Sequence, residues 1–132
     1  MIILTVNEVI EIHNKLIVAT GGSPNLRDMG LLESAVFGCT QTFGSEDLYP
    51  TVIEKAARMA YSICSNHPFV DGNKRVAVTA LLVILRMNGI SVQFTQQELI
   101  KLGLGVADGS IDYEEIVAWV NKHIVAQKNG RT

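Results

Sequence analysis

The 132-residue chain has little cysteine and little charge. Its two cysteines, Cys39 and Cys64, fall inside stretches that read as helix, with no CxxC and no Cys/His metal-site spacing of paired ligands. That excludes a disulfide framework or a zinc knuckle and leaves two small apolar residues in a reducing compartment. Charged residues make up 18% of the chain, the formal net charge is −2, and no basic stripe follows any helical pattern. Direct binding to nucleic acid is therefore not expected. The longest apolar stretch, Val76 to Leu85, falls well short of the ~20 residues a membrane span requires. The opening MIILTVNEVIEIHNK carries neither a basic leader nor a small-residue cleavage site, so no signal peptide is expected. Internal repeats and low-complexity segments are also missing. Against these absences stands an apolar content of 48%, enough for a proper core in one soluble, cytoplasmic domain. That domain is expected to span residues 1–126, with 127–132 a frayed tail.

Helix starts are legible. Thr5 with Glu8, Thr51 with Glu54, Thr95 with Glu98, and Asp112 with Glu115 each place a capping oxygen three residues before a glutamate. In such a box the first side chain accepts from an orphan amide and the glutamate reaches back. Helical periodicity follows each one, so the fold class is all-α, a bundle of about six helices. The expected helices cover about Val6 to Val18, Met29 to Cys39, Pro50–Thr51 to Asn66 or His67, Asn73 to Asn88–Gly89, Gln96 to Leu104, and Tyr113 to Val125. Thr40 to Tyr49 shows no helical period and reads as an exposed loop or a small hairpin, with Glu46 and Asp47 solvating it. Gly103, Gly105 and Gly109 read as a loop beyond the fifth helix. The fourth helix is apolar almost all round and should be the central one. His13, on the apolar stripe of the first helix, reads as a hydrogen-bonded core histidine, Trp119 as core, and His123 as a surface or helix-end residue.

The chemistry concentrates in His67-Pro68-Phe69-Val70-Asp71-Gly72-Asn73-Lys74-Arg75. Pro68 ends one helix, because a proline disfavours helical geometry in the residue before it. Five residues separate His67 from Asn73, which opens the next helix. A connector that short spans at most ~20 Å, so an imidazole is held beside a helix N-terminus. Such a terminus presents unpaired amides and a positive dipole end, which suit phosphate oxygens. Gly72 allows close backbone approach, and Lys74 and Arg75 add positive charge, arginine as a planar fork. Asp71 offers a hard oxygen, and one carboxylate with nucleotide oxygens and water is the usual way to hold Mg²⁺. His67 can take a proton near neutral pH. Together these parts describe phosphoryl or nucleotidyl transfer to a hydroxyl. The loop is not a nucleotide-binding motif of the commoner kinds, since GxxxxGK[ST] and the kinase glycine loop with HRD or DFG are missing.

HPFVDGNKR resembles the signature of the Fic/Doc family, His-x-Phe-x-(Asp/Glu)-(Gly/Ala)-Asn-(Gly/Lys)-Arg. GGSPNLRDMGLLESAV and LLVILRMNGISV are similar to the Doc (death-on-curing) toxin subgroup, so the resemblance covers most of the chain. It implies that His67 is the base that activates a target hydroxyl and that Asp71 binds Mg²⁺. It implies further that Asn73 and the adjoining amides form the anion hole, with Arg75 on a nucleotide phosphate of ATP. Lys74 stands where Fic enzymes have a second glycine, and Val78 where they usually have a second arginine. Both departures resemble Doc, which is understood to bind ATP reversed and transfer its terminal phosphate. The implied activity is a toxin kinase acting on elongation factor Tu and arresting translation. Its implied partner is a Phd-like antitoxin whose C-terminal segment folds into a groove near the site. An AMP transferase is the alternative within the family, and a catalytically weak antitoxin-binding module is the alternative outside enzymes. The loop from Thr40 to Tyr49 is where family members clamp the target chain.

Overall fold

The computed structural model describes residues 1–127. Six helices and two small two-stranded sheets follow in the order α1 (Val6–Thr20), α2 (Met29–Gly38), β1 (Thr42–Phe43), β2 (Glu46–Asp47), α3 (Val52–Asn66), α4 (Asn73–Met87), β3 (Ile90–Val92), α5 (Gln96–Asp108), α6 (Tyr113–His123) and β4 (Ile124–Gln127). The fold is all-α in its core, as the periodicity requires. All four capping boxes form reciprocally, at Thr5, Thr51, Thr95 and Asp112. Each box satisfies two orphan amides and stabilises its helix by roughly 1 kcal/mol. α2 starts on Asp28, whose carboxylate accepts from the Leu31 amide at 3.0 Å.

α3 and α4 form the centre. They meet through small residues, with Ala56, Ala57 and Ala60 on α3 and Ala77 and Ala80 on α4, all buried. α2 and α6 pack on α3, while α1 and α5 pack on α4. Ile63, Leu81, Ile84 and Leu85 fill the space between them and are at most 1% exposed. Cys39 and Cys64 are free thiols within this packing, and burial pushes both up from the usual thiol range.

Two segments differ from the sequence expectation, and a third takes the hairpin form that expectation allowed. α5 continues through Gly103 and Gly105 to Asp108 and stops at Gly109, whose φ is +85°. The two glycines serve packing and not a turn: a Cβ on Gly105 would stand 2.3 Å from Cδ1 of Ile111, and one on Gly103 would stand 3.2 Å from Cγ of Lys74. α6 stops at His123, and the backbone turns extended at Ile124. β4 then pairs antiparallel with β3, Ser91 opposite Ala126 and Ile90 opposite Gln127. Gln127, expected in the frayed tail, is therefore a strand residue, and the rest of that tail lies outside the described residues. The segment from Thr40 to Tyr49 is a hairpin with Thr42 opposite Asp47. Asp47 does more than solvate it. The buried Lys55 of α3 pairs with its carboxylate at 3.0 Å and donates to the Tyr49 carbonyl, which pins the base of the hairpin. Arg58, one turn further along α3, stacks near the rings of Tyr49, Tyr61 and Tyr113 at 5.5–5.9 Å.

Candidate active site

α3 ends on His67, which takes the left-handed conformation at φ 52°, ψ 55°. Among the described residues it is the one non-glycine residue with positive φ. That geometry costs roughly 1–2 kcal/mol and is held from both sides. Arg27 donates to the His67 carbonyl at 2.6 Å and to the Asn66 carbonyl at 2.9 Å, placing a cation at the negative end of the α3 dipole. The imidazole itself is exposed and has no hydrogen-bond partner among the described residues.

The loop from Pro68 to Gly72 lies against the α1–α2 connection. The Pro68 carbonyl accepts from the amides of Arg27 and Asp28, and the Val70 amide donates to the Asn25 carbonyl. Leu26 and Phe69 form an isolated bridge. Phe69 is 2% exposed and anchors the loop in the core, stacked on His13 with ring centres 3.7 Å apart. Asn73 is buried, and its side chain closes a ring with one backbone unit: Oδ1 accepts from the Phe69 amide at 3.0 Å and Nδ2 donates to the Phe69 carbonyl at 2.9 Å. Both polar atoms of that side chain are thus occupied. The part of Asn73 open to an anion is its backbone amide.

Gly72 precedes α4 at φ +82° and gives the helix no side-chain cap. Among the described residues the amides of Asn73, Lys74 and Arg75 meet no protein acceptor, and the ladder begins with Val76 donating to the Gly72 carbonyl at 2.9 Å. Three unpaired amides at the positive end of a 15-residue helix form a ready anion site. Arg75 donates to the Thr20 hydroxyl at the end of α1, and its Nη2 lies 3.6 Å from where a Gly72 Cβ would sit. Lys74 lays its stem along Gly103 of α5. Asp71 is exposed, and its Oδ2 accepts from the Ser23 amide at 2.9 Å while Oδ1 has no partner. No group of three or more His, Cys, Asp or Glu among the described residues could cage a metal. The donor set fits a divalent cation held by one carboxylate and substrate oxygens, the arrangement magnesium favours. Beside Lys74 and Arg75 runs a groove of about 320 Å³ between α4 and α5, lined by Leu16, Val78, Leu99 and Ile100 among others.

The six residues singled out from the sequence therefore gather on one loop and helix start. Residues 3–85 match the profile of the Fic/DOC family. The chain belongs to that family. It is similar to Toxin Doc of Mycolicibacterium smegmatis, with 35% identity over 115 residues covering 86% of this chain and 88% of the relative. It is also similar to Protein kinase doc of Escherichia phage P1, with 33% identity over 109 residues covering 83% and 85% of the two chains. Both relatives are Doc proteins, which places this Fic/Doc member in the Doc toxin group. Sequence reading missed Arg27 as the clamp on His67. It stands inside GGSPNLRDMG, but nothing local in that stretch marks a side chain that reaches the next loop but one.

Proposed function

We propose that this chain is a Doc-like toxin kinase that transfers the γ-phosphate of ATP to a serine or threonine hydroxyl of a translation factor resembling elongation factor Tu. The observation that carries this reading is an exposed, unbonded imidazole at the end of α3, set across a short loop from three unpaired amides at the start of α4. His67 accepts the proton of the target hydroxyl as that oxygen bonds to the γ-phosphorus and the bond from that phosphorus to the β–γ bridging oxygen breaks, releasing ADP. The amides of Asn73, Lys74 and Arg75 and the Arg75 guanidinium bind the phosphate oxygens and take up the charge that develops on them. The unpartnered Oδ1 of Asp71 is the oxygen that would hold Mg²⁺, which when bound neutralises phosphate charge. Gly72 lets the triphosphate approach the backbone. The Asn73 side chain keeps the loop in shape.

Transfer of phosphate is favoured over transfer of AMP by Lys74 and Val78. They stand where Fic enzymes have glycine and arginine, and both line the same groove beside α5. The name Protein kinase doc, borne by one relative, agrees with this. The apolar groove with its half-exposed Ile100 suits the C-terminal segment of a Phd-like antitoxin, and the pinned hairpin β1–β2 suits a target chain. A cytoplasmic setting follows from those partners, and no described helix is long and apolar enough to cross a membrane. The nucleotide by-product tests the proposal. ADP formed in proportion to modified protein is the expected result. Pyrophosphate in its place would mean AMP transfer, and neither product, with tight antitoxin binding, would mean a non-catalytic module.

A further inference from the structure

His13 lies in the middle of α1, remote in sequence from the loop, and is 0% exposed. A histidine kept only to fill space would be replaceable by any flat ring. Three observations say more. Its ring stacks on Phe69 with planes 8° apart. Its Nε2 meets the Asp71 carbonyl at 2.6 Å, and because a carbonyl only accepts, Nε2 carries the proton. Its Nδ1 is then a buried acceptor with no partner among the described residues, a cost that packing alone does not explain. The ring is therefore aimed at one backbone oxygen.

That oxygen matters because a peptide unit is planar and trans, so its C=O and N–H point in opposite directions. No peptide bond among the described residues is cis. Fixing the Asp71 carbonyl inward toward His13 of α1 turns the Gly72 N–H the opposite way, away from that ring. The ring also packs closely on this glycine: a Cβ on Gly72 would stand 3.4 Å from His13 Nε2. We propose that His13 is a positioning residue which, through the Asp71 carbonyl, aims the Gly72 amide at the phosphate side of the loop. The inference rests on the phosphotransfer reading for its consequence, not for its geometry.

Two substitutions separate the donor from the ring. His13→Phe keeps the stack and loses the donor. His13→Gln loses the ring but carries an N–H at the reach of Nε2. The expected result is a fall of about 100-fold in kcat for His13→Phe, with the thermal midpoint little changed and the Mg-ADP-induced NMR shift of the Gly72 amide lost. His13→Gln is expected to restore activity to within about tenfold of wild type and to restore that shift. Should His13→Phe not fold, His13→Asn takes its place, since its amide is one carbon too short to reach. Wild-type kcat in the donor-less variant, or equal loss in His13→Gln, overturns the inference. Should the wild-type chain itself neither transfer phosphate nor bind Mg-ADP, the kinase reading falls, and hydrogen exchange decides this one. The Phe69 and Val70 amides, both bonded in the folded loop, are then expected to exchange faster in the donor-less variant than in His13→Gln. Equal rates overturn the inference.

Discussion

His67 and Asp71 are both exposed, and neither contributes to the core. Their removal should therefore separate activity from stability. His67→Ala deletes the base and is expected to lower phosphotransfer by ~10²-fold or more. It also leaves alanine in a left-handed position, so the midpoint of thermal unfolding should fall slightly and the fold persist. A variant with wild-type turnover would remove His67 from the mechanism. Asp71→Ala is expected to weaken Mg²⁺-dependent ATP binding, read by titration calorimetry with and without the metal. An unchanged metal dependence would exclude Asp71 as the ligand. At this scale the sequence was informative because the motif is contiguous: base, acid, glycine and cations sit within nine residues. The clamps on that motif were not legible, since Arg27 and His13 act on backbone oxygens of a loop far along the chain, and Ser23 acts through its own backbone amide on the Asp71 carboxylate. Backbone contacts of that kind impose no pattern on the residues they touch.

Among the elements, helix starts were legible and some helix ends were not. A capping box is local, so Thr5, Thr51, Thr95 and Asp112 announced their helices from four residues each. The end of α5 was misread because Gly103 and Gly105 resemble breakers until their neighbours are known. Gly105→Ala tests that explanation. The substitution gains about 1 kcal/mol in helix propensity, but the added methyl meets Ile111 at 2.3 Å, and its Cγ1 at 2.6 Å. Overpacking of roughly 1–3 kcal/mol should outweigh the gain, so the variant is expected to unfold at lower denaturant concentration. A stabilised variant would contradict the packing role. The strand β4 was hidden for a similar reason. Val92 pairs with Ile124 and Ser91 with Ala126, with a register shift between the two pairs, and four residues after a helix carry too short a signal to reveal it.

For the whole molecule, Glu98 on the acid side and Tyr113 on the alkaline side make stability depend on pH, alongside Asp108 and the two buried thiols. The Glu98 carboxyl lies below the usual range, chiefly because the Thr95 amide donates to it and then because His123 lies beside it. A depressed carboxyl contributes stability above its ordinary value, and that contribution disappears as the pH falls from about 4.3. Burial, reinforced by Glu54, pushes the Tyr113 hydroxyl up to about 12. A raised phenol contributes in full below about pH 10 and loses its contribution as the pH climbs through the folded value. Stability is thus expected to decline on both sides, and Tyr113→Phe should flatten the alkaline limb in thermal melts. An alkaline limb unaltered by that substitution would contradict the assignment. The architecture that results is economical for its purpose. Two central helices meet at one loop, and a third helix with its connection holds that loop from outside.

The most direct test of the account is transfer of label from ATP to a purified translation factor of the elongation factor Tu type, with Mg²⁺ present and His67→Ala alongside. The account predicts that label in the γ position reaches a serine or threonine of the factor, that label in the α position does not, and that the variant transfers neither. Label arriving only from the α position, or transfer undiminished in His67→Ala, would contradict it.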